Sequence, residues 1–237
     1  MSYQLIAMDL DGTLTQHKSC LEEKNYNLLC ELKKRYRLLM LGAGGCERIY
    51  KQMNEFPIDI VGNYGIQESR IIDGVFKIVR NDCYAIDIDF FEKTITKIRN
   101  LTGYTHYDGD NVEFHASGLV TFPLLGTKAL LKDKLAFDPD GSKRTAIYDL
   151  VAGEFSDYNC FIGGTSSFDI PLKKYDKYQA LLSYIHPIGI SEREVLFIGD
   201  DFKKGGNDEQ LLLAGIDCVQ VTNYQYVSEM LHEKGIV

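Results

Sequence analysis

The chain has 237 residues, of which 45% are hydrophobic and 25% are charged. These proportions are those of a globular protein with one large or two small domains, and they exclude a disordered, collagen-like or coiled-coil chain. The 34 acidic residues outnumber the 26 Lys and Arg residues, and the net charge of −8 disfavours a nucleic-acid-binding protein, which needs a basic surface.

The N-terminal segment and the cysteines favour a cytoplasmic protein. Acidic residues appear by Asp9, and no basic stretch precedes a long apolar run, so we expect no signal peptide. No run approaches the roughly 18 apolar residues of a membrane span. The six cysteines include no CxxC pair and are too sparse for a disulfide framework, so we expect reduced thiols and a cytoplasmic location.

The first third of the chain alternates between predicted strands and helices. Apolar runs at 3–8, 38–41 and 59–61 predict buried strands. Between them, apolar residues at helical spacing predict helices near 21–36 and 47–55. This alternation is typical of a doubly wound parallel sheet.

The middle of the chain has a different pattern, with predicted hairpins around two helices. Asp73-Gly74 lies between apolar runs at 66–72 and 75–79 and is a strong signal for a two-residue hairpin turn. Further strands are predicted at 112–115, 119–122, 158–162 and 167–170, with helices near 89–100 and 140–151. We interpret this part as α+β with antiparallel strands.

The alternating pattern returns after Tyr175, with strands predicted at 195–198 and 218–221. The simplest interpretation is one α/β core formed by both ends of the chain, residues 1–81 and 176–237, with an α+β cap of residues 82–175 inserted between them. The predicted fold class is therefore α/β, a doubly wound, Rossmann-like parallel-sheet core with an inserted α+β cap domain.

Two acidic residues follow the first predicted strand directly, in the segment DLDGTLT at residues 9–15. In a doubly wound sheet, side chains just beyond the carboxyl end of a strand face the ligand crevice, so we expect Asp9 and Asp11 to share one site. Paired carboxylates serve there for metal binding, nucleophilic attack or proton transfer. A DxDG segment on its own is more often a solvated acidic turn.

A second acidic group follows the strand predicted at 195–198. It consists of Gly199-Asp200-Asp201 and of Gly-Gly-Asn-Asp at 205–208, and it comes to the same edge of the sheet as Asp9. Mg²⁺ prefers oxygen ligands in octahedral geometry and usually retains several waters. Asp9, Asp11 and one acid of this loop would form such a site.

Together these segments resemble the haloacid dehalogenase-like (HAD) phosphotransferases, whose first motif is DxDGTLT after an N-terminal strand. A Gly-rich loop follows the second predicted strand in the family's order, and it comprises Gly42, Ala43, Gly44 and Gly45. The loop lacks the Ser or Thr with which the family binds phosphate, but backbone N–H groups at the next helix can hold an anion. A dinucleotide-binding GxGxxG is excluded because its third glycine would fall on Glu47.

Three features resemble the eukaryotic-type phosphomannomutases of the capped HAD subfamily IIB. They are Ser167-Phe168-Asp169, the lysine eight residues later and the segment 205–208. The resemblance implies that Asp9 is a nucleophile that forms an aspartyl-phosphate and that Asp11 is a general acid and base. It also assigns Lys177, among several nearby lysines, as the lysine of the site. The implied metal ligands for Mg²⁺ are Asp9, Asp11 through its backbone carbonyl, and Asp200, with Asp208 as a further candidate.

The chain departs from that branch where mutases use arginines to hold the distal phosphate of the substrate. His115, Thr127 and Lys134 stand at the cap positions, and Lys18 stands at the position in the core loop. Thr cannot replace the planar fork of arginine, and Lys offers only a point charge. Because a mutase must hold phosphate at both ends of a sugar, these changes favour a phosphatase. The substrate-binding candidates are Gly42, Ala43, Gly44, Ser167, Asp169, Lys18 and Lys134.

We therefore expect a Mg²⁺-dependent phosphohydrolase that acts on a small phosphorylated metabolite, a sugar phosphate, through an aspartyl-phosphate. A phosphomannomutase or phosphoglucomutase is the alternative. A non-catalytic sugar-phosphate binder and a phospho-accepting signalling module are remoter, since a receiver module lacks an inserted cap and its acceptor candidate, Asp59, begins a predicted strand instead of ending one. We expect no nucleic-acid or membrane partner, and we expect a homodimer through the cap.

Overall fold

The computed structural model describes residues 3–237, and within them the chain divides into two units. The core unit comprises the described residues up to Asn81 together with Asp176–Lys203 and Asp208–Val237. The inserted unit comprises Asp82–Tyr175 and the short segment Lys204–Asn207.

Eleven strands and eight α-helices are present in the described residues. The strands are β1 (Leu5–Met8), β2 (Arg37–Leu41), β3 (Asp59–Gly62), β4 (Gln67–Ile72), β5 (Val75–Asn81), β6 (Glu113–Phe114), β7 (Val120–Pro123), β8 (Phe161–Gly163), β9 (Ser167–Ile170), β10 (Val195–Gly199) and β11 (Asp217–Gln220). The helices are α1 (Glu23–Leu32), α2 (Cys46–Gln52), α3 (Ile88–Thr102), α4 (Leu131–Phe137), α5 (Ser142–Glu154), α6 (Lys177–Ile185), α7 (Glu209–Leu213) and α8 (Val227–Glu233). Of the helices in residues 3–237, none combines the length and the apolar character that crossing a membrane requires.

The core unit contains a seven-stranded sheet in the order β11-β10-β1-β2-β3-β4-β5. The first five strands in this order are parallel, and β4 and β5 extend the sheet as an antiparallel hairpin. Met8 at the end of β1 pairs with Ile198 of β10 and with Met40 of β2. The carboxyl ends of three neighbouring strands therefore meet at one edge of the sheet, and the acidic segments and the Gly-rich loop follow them there.

The strand β1 is wholly apolar because both faces of the sheet are covered. Its side chains alternate between the faces, so that Ile6 and Met8 pack with residues of α1, α2 and α8, whereas Leu5 and Ala7 pack with residues of α6 and α7. All four side chains are completely buried. The mainly parallel sheet with helices on both faces confirms the predicted α/β fold class.

The inserted unit contains a four-stranded antiparallel sheet in the order β6-β7-β9-β8. It shares a hydrophobic core with α3 and α5, to which Phe91 and Val151 contribute. The helix α3 is capped at its start by the side chain of Asp87 and ends at Gly103, whose φ of 80° is the left-handed conformation that favours glycine.

Some elements of the inserted unit differ from the sequence prediction. The helix α4 has no counterpart among the predicted helices because it has no buried residue, so Leu131 and Leu135 give no one-sided apolar pattern. The strand predicted at 158–162 begins only at Phe161, since Tyr158 forms a single isolated bridge with Leu172.

Candidate active site

Asp9 lies directly after β1, at the edge of the core sheet where β10 also ends. Its N–H donates to the carbonyl of Ile198 at 2.9 Å, which continues the pairing of β1 with β10 by one residue. The residue is 5% exposed, and its Oδ1 accepts a hydrogen bond from Nζ of Lys177 at 2.7 Å. Two residues 168 positions apart in the chain therefore form a buried ion pair at this edge.

Lys177 is the first residue of α6 and is 1% exposed. The helix begins there because the Asp176 side chain accepts a hydrogen bond from the N–H of Gln179 at 2.7 Å. The ammonium group lies between Asp9 and Asp208, at 2.7 Å and 2.6 Å. Burial by itself lowers the pKa of Lys177, but the charges of Asp208 and Asp9 outweigh it and raise this pKa above its ordinary value.

Asp208 holds the lysine and the acidic loop together. Its side chain is completely buried, with Oδ1 on Nζ of Lys177. The other oxygen, Oδ2, accepts from the backbone N–H groups of Asp200 and Asp201, both at 3.1 Å. Both oxygens therefore accept hydrogen bonds from the protein.

Asp200 follows β10 and is in contact with the loop after β1. The hydroxyl of Thr13 donates to its Oδ1 at 3.1 Å. Gly12 adopts a φ of 96°, and a Cβ at this position would collide with the carboxylate of Asp200. The glycine of the DxDG segment thus permits the close approach of the two acidic loops.

The acidic groups of this cluster outnumber its ammonium group. Burial raises the pKa of Asp9 to about 8, Lys177 offsets this in part, and the charges of Asp208 and Asp200 add to it. Burial and the charge of Asp208 likewise raise the pKa of Asp200 to about 6. Three carboxyl groups in a buried site with one lysine leave an excess of negative charge that an additional cation would balance.

The donor set fits Mg²⁺. The carboxylates of Asp9 and Asp200 and the backbone carbonyl of Asp11 would supply three oxygen ligands, and Mg²⁺ ordinarily completes its octahedron with water. In the part of the chain that the structure describes, no group of three or more His, Cys, Asp or Glu side chains is arranged as a metal site. The set above contains only two side chains, and its third ligand, implied by the family resemblance, would be a backbone oxygen.

The carboxylate of Asp11 contacts α2. Its Oδ1 accepts from the backbone N–H of Lys18 and from Nε2 of Gln52, both at 2.7 Å, and its Oδ2 contacts the guanidinium of Arg48 at 3.2 Å. Burial alone raises the pKa of Asp11, but the hydrogen bonds from Gln52 and Lys18 and the charge of Arg48 outweigh it and hold this pKa below its ordinary value. Lys18 takes part through its backbone, with a positive φ of 58°.

The Gly-rich loop after β2 lies beside the same arginine. A Cβ at Gly44 would collide with the guanidinium of Arg48, and Gly45 is the N-cap residue of α2. In the segment after β3, the backbone N–H groups of Tyr64 and Asn63 donate to the carbonyls of Gly42 and Gly44. Sequence analysis missed Arg48 and Gln52, whose only signal is their spacing of four residues on the helix that follows the loop.

The remaining substrate-binding candidates lie in the inserted unit. Asp169 on β9 accepts a hydrogen bond from the hydroxyl of Thr121 at 3.0 Å, and this hydroxyl also contacts Nε2 of His115 at 3.0 Å. Ser167, two residues before Asp169 on the same face of β9, donates to the carbonyl of Gly163 at 3.0 Å. Lys134 on α4 donates to the carbonyl of Thr127 at 3.4 Å.

Comparison with known proteins gives matches both by sequence and by structure. No protein-family model matches the chain. A probable phosphomannomutase of Caenorhabditis elegans is 23% identical over 228 residues, which are 89% of this chain and 86% of the relative. The structure of an N-terminally truncated Plasmodium falciparum IMP-nucleotidase matches 100% of this chain and 70% of its own, with a TM-score of 0.68 and 15% identity. A Bacteroides thetaiotaomicron phosphatase of the HAD superfamily matches 100% of this chain and 96% of its own, with a TM-score of 0.60 and 12% identity.

The chain has the HAD fold. The resemblance inferred from the DxDGTLT and GDD segments is confirmed at this level, and the sequence relative agrees with the phosphomannomutase branch. The structural matches include a nucleotidase and a phosphatase of the HAD superfamily.

Proposed function

We propose that the protein is a Mg²⁺-dependent phosphohydrolase that acts on a small phosphorylated metabolite, a sugar phosphate. The observation that carries this proposal is the buried cluster in which Asp9 pairs with Lys177 beside the acidic loop of Asp200. A carboxylate held by an ammonium group at the carboxyl edge of a parallel sheet has the chemistry of a phosphoryl acceptor. The phosphatases that share the HAD fold support the same reaction class.

In this proposal Asp9 attacks phosphorus in line and forms an aspartyl-phosphate while the ester oxygen leaves. Asp11 donates a proton to that oxygen and then removes a proton from the water that hydrolyses the aspartyl-phosphate. Lys177 favours the ionised form of Asp9 against the effect of burial, and it offsets the charge of the transferred group. A Mg²⁺ ion held by Asp9, Asp200 and the Asp11 carbonyl would supply further positive charge to stabilise the transferred group. Asp208, with both oxygens engaged, holds Lys177 and the loop of Asp200.

We expect phosphate release to require Mg²⁺ and the binding of Mg²⁺ to require Asp200. EDTA should remove phosphate release and Mg²⁺ should restore it. Asp200→Ala should weaken Mg²⁺ binding by at least about 10–100-fold, the range found even for residues that only support a metal ligand. Asp201→Ala should have a much smaller effect, because the Asp201 carboxylate lies at 3.7 Å from Nζ of Lys203 in a partly exposed ion pair. Measuring the activity of each variant as a function of Mg²⁺ concentration compares the two substitutions. Equal effects would contradict the assignment of Asp200 as the Mg²⁺ ligand.

The inserted unit is proposed to select the substrate. Thr121 and Asp169 on its sheet, with His115 directly after β6, offer donors and acceptors of the kind that bind sugar hydroxyl groups. Ser167 would add a further hydroxyl on the same face of β9.

A phosphomannomutase is the second candidate, and the sequence similarity to the Caenorhabditis elegans relative favours it. A mutase must bind a bisphosphate at both ends, yet Thr127 has no charge, and the Lys134 ammonium offers no fork for bidentate binding. Each missing charge-assisted hydrogen bond costs about 1.5–3 kcal/mol. We therefore expect hydrolysis of a hexose monophosphate to exceed its isomerisation.

Phosphorus NMR of mannose 1-phosphate and glucose 1-phosphate with enzyme and Mg²⁺, with and without a hexose bisphosphate, separates the two reactions. Hydrolysis yields inorganic phosphate in both conditions. Rapid formation of the 6-phosphate with little free phosphate would make the protein a mutase. The absence of any phosphate release from a generic aryl phosphate would leave a non-catalytic binder.

A phospho-accepting module is the least supported function. Its acceptor candidate, Asp59, is the first residue of β3. The Asp59 carboxylate already accepts from the hydroxyl of Tyr184 at 2.6 Å and from the guanidinium of Arg70 at 3.3 Å.

A further inference from the structure

A polar cavity lies in the core unit, at the carboxyl end of β3. Its volume is about 330 Å³, within the range of about 300–1,000 Å³ that is usual for small-molecule sites. Asn63, the residue after β3, lines the cavity together with Gly45 of the Gly-rich loop, Gln67 on β4 and Asn81 at the end of β5. In an open α/β sheet, ligands bind beyond the carboxyl ends of the strands, so the cavity lies at the edge where a ligand is expected.

The backbone at Asn63 is held in an unusual conformation. Asn63, Tyr64 and Gly65 follow one another with positive φ values of 48°, 58° and 102°. Such values are uncommon outside glycine, and for a residue as bulky as tyrosine they are an outlier. The N–H of Asn63 donates to the carbonyl of Gly44 at 2.9 Å, which anchors the segment on the Gly-rich loop. Strained backbone of this kind is concentrated at ligand sites, where the surrounding structure maintains it.

Three side-chain amides supply polar atoms to the cavity. Gln67 is engaged by the protein, since its Oε1 accepts from the N–H of Cys46 at 3.1 Å and its Nε2 donates to Oδ1 of Asn81 at 2.8 Å. This contact orients Asn81 and leaves its NH₂ group for a ligand. Within residues 3–237, the hydrogen bonds of Asn63 are made by its backbone, which leaves both polar atoms of its side chain for a ligand. The cavity therefore offers donors on both asparagines and an acceptor on Asn63.

The charges and surfaces around these amides favour a neutral ligand. Glu47 and Arg48 line the cavity with opposite charges, and Arg48 is already paired with Asp11 at 3.2 Å. A phosphate or carboxylate group would therefore meet no excess of positive charge. Among the described residues that line the cavity, Ile78 is the apolar side chain and none is aromatic, so a nucleobase would lack a stacking surface. Hydroxyl groups both donate and accept hydrogen bonds, which matches the amides.

We propose that this cavity binds the hydroxyl groups of a neutral sugar unit, with Asn63 and Asn81 as the residues that contact it. The site consists of residues of the core unit and requires no phosphoryl transfer, so the proposal stands independently of the proposed function. The sugar unit is either free or part of a phosphorylated substrate, and both sources present the same hydroxyl groups to the amides.

The first experiment follows the side-chain NH₂ signals of Asn63, Gln67 and Asn81 by NMR. Glucose and mannose are titrated into the wild-type protein, and adenosine is the comparison ligand. We expect the sugars to shift these three signals with a Kd of about 1 mM, a modest affinity because a hexose is small. Adenosine should leave the signals in place. Signals that neither sugar shifts, or that adenosine alone shifts, would overturn the proposal.

Asn63→Gly removes the side-chain amide and retains the positive φ of 48°, which glycine adopts freely. Asn54→Gly is the matched control, because Asn54 has a similar φ of 53° and does not line the cavity. We expect Asn63→Gly to weaken sugar binding about tenfold, since hydrogen bonds to two neutral groups are lost. Asn54→Gly should bind sugar as the wild type does, although it loses its own hydrogen bond to the carbonyl of Leu21. Equal affinities of Asn63→Gly and the wild type would overturn the proposal.

Gly45→Ala tests the same cavity without removing a polar group. The φ of −66° at Gly45 is compatible with a side chain, and a Cβ there would lie 3.0 Å from Oε1 of Gln67 and 3.7 Å from Nδ2 of Asn63. We expect the added methyl group to narrow the cavity and to weaken sugar binding about threefold or more. Sugar binding at full affinity in this variant would place the sugar elsewhere and contradict the proposal.

Competition distinguishes the two sources of the sugar unit. Glucose that raises the KM for glucose 1-phosphate in the wild type, but not in Asn63→Gly, would show that the cavity takes the sugar unit of the substrate. Glucose that binds to the cavity without raising this KM would show that it takes a separate sugar. A protein without phosphatase activity would refute the proposed function, and the titrations would still decide whether the cavity binds sugar.

Discussion

Asp9→Asn is expected to lower phosphate release by about 10⁴-fold or more, the range found when an enzyme loses its nucleophile. An amide has no anionic oxygen to attack phosphorus, and it is also a poor ligand for Mg²⁺. The fold should persist, because Lys177 keeps its ion pair with Asp208 at 2.6 Å. The substitution also removes the repulsion that Asp9 shares with Asp208 and Asp200.

Asp73→Asn is the matched control for this change. Asp73 is exposed in the turn between β4 and β5, and its positive φ of 54° is one that Asn tolerates well. In Asp73→Asn, the rate of phosphate release and the temperature of thermal unfolding should both equal those of the wild type. Phosphate release by Asp9→Asn within about tenfold of the wild type would contradict the role of Asp9 as nucleophile.

The strands of the core were predictable from sequence because both faces of the sheet are buried. The residues of β1 and β10 that pair with each other, Leu5–Met8 with Val195–Ile198, are all apolar, and apolar runs of this length that end at acids and glycines predict buried strands. Periodicity could not predict α4, whose leucines are exposed. Its helical form therefore leaves no hydrophobic pattern in the sequence.

The candidate site was predictable only in part. Asp9 and Asp200 could be placed together because each follows a strand that ends at the same edge. Lys177 could be selected only by resemblance, since Lys173 and Lys174 precede it and nothing local distinguishes a buried lysine from its exposed neighbours. The catalytic and binding roles assigned to these residues stay predictions.

The side chain of Asp11 shows a further limit of sequence reasoning. Its position two residues after Asp9 suggested a shared pair of carboxylates, but its partners are Arg48 and Gln52. Polar residues at helical spacing usually form a solvated face, so sequence analysis assigned these two residues no role. Their role depends on the packing of α2 beside the loop after β1, which is a tertiary contact.

Lys177→Met is expected to abolish phosphate release and to lower the free energy of unfolding by about 3–5 kcal/mol at pH 8, the cost of breaking a buried ion pair by removing one partner. The substitution leaves Asp9 and Asp208 buried without the ammonium group that separates them. Lys173→Met is the control, because this exposed lysine lies four residues earlier and should change neither property.

The loss of unfolding free energy in Lys177→Met, relative to the wild type, should depend on pH when it is measured in EDTA. Burial raises the pKa of Asp9 to about 8 even beside Lys177, well above the value of about 3.9 in an unfolded chain. A carboxyl with a raised pKa in the folded state contributes stability below the unfolded pKa, and this stability is lost as the pH rises through the folded pKa. The protonated Asp9 needs no counter-charge, so the deficit should be smallest near pH 5 and largest above pH 8. Urea unfolding at both pH values tests this, and an equal loss of unfolding free energy at both would show that the ionisation of Asp9 does not set this loss.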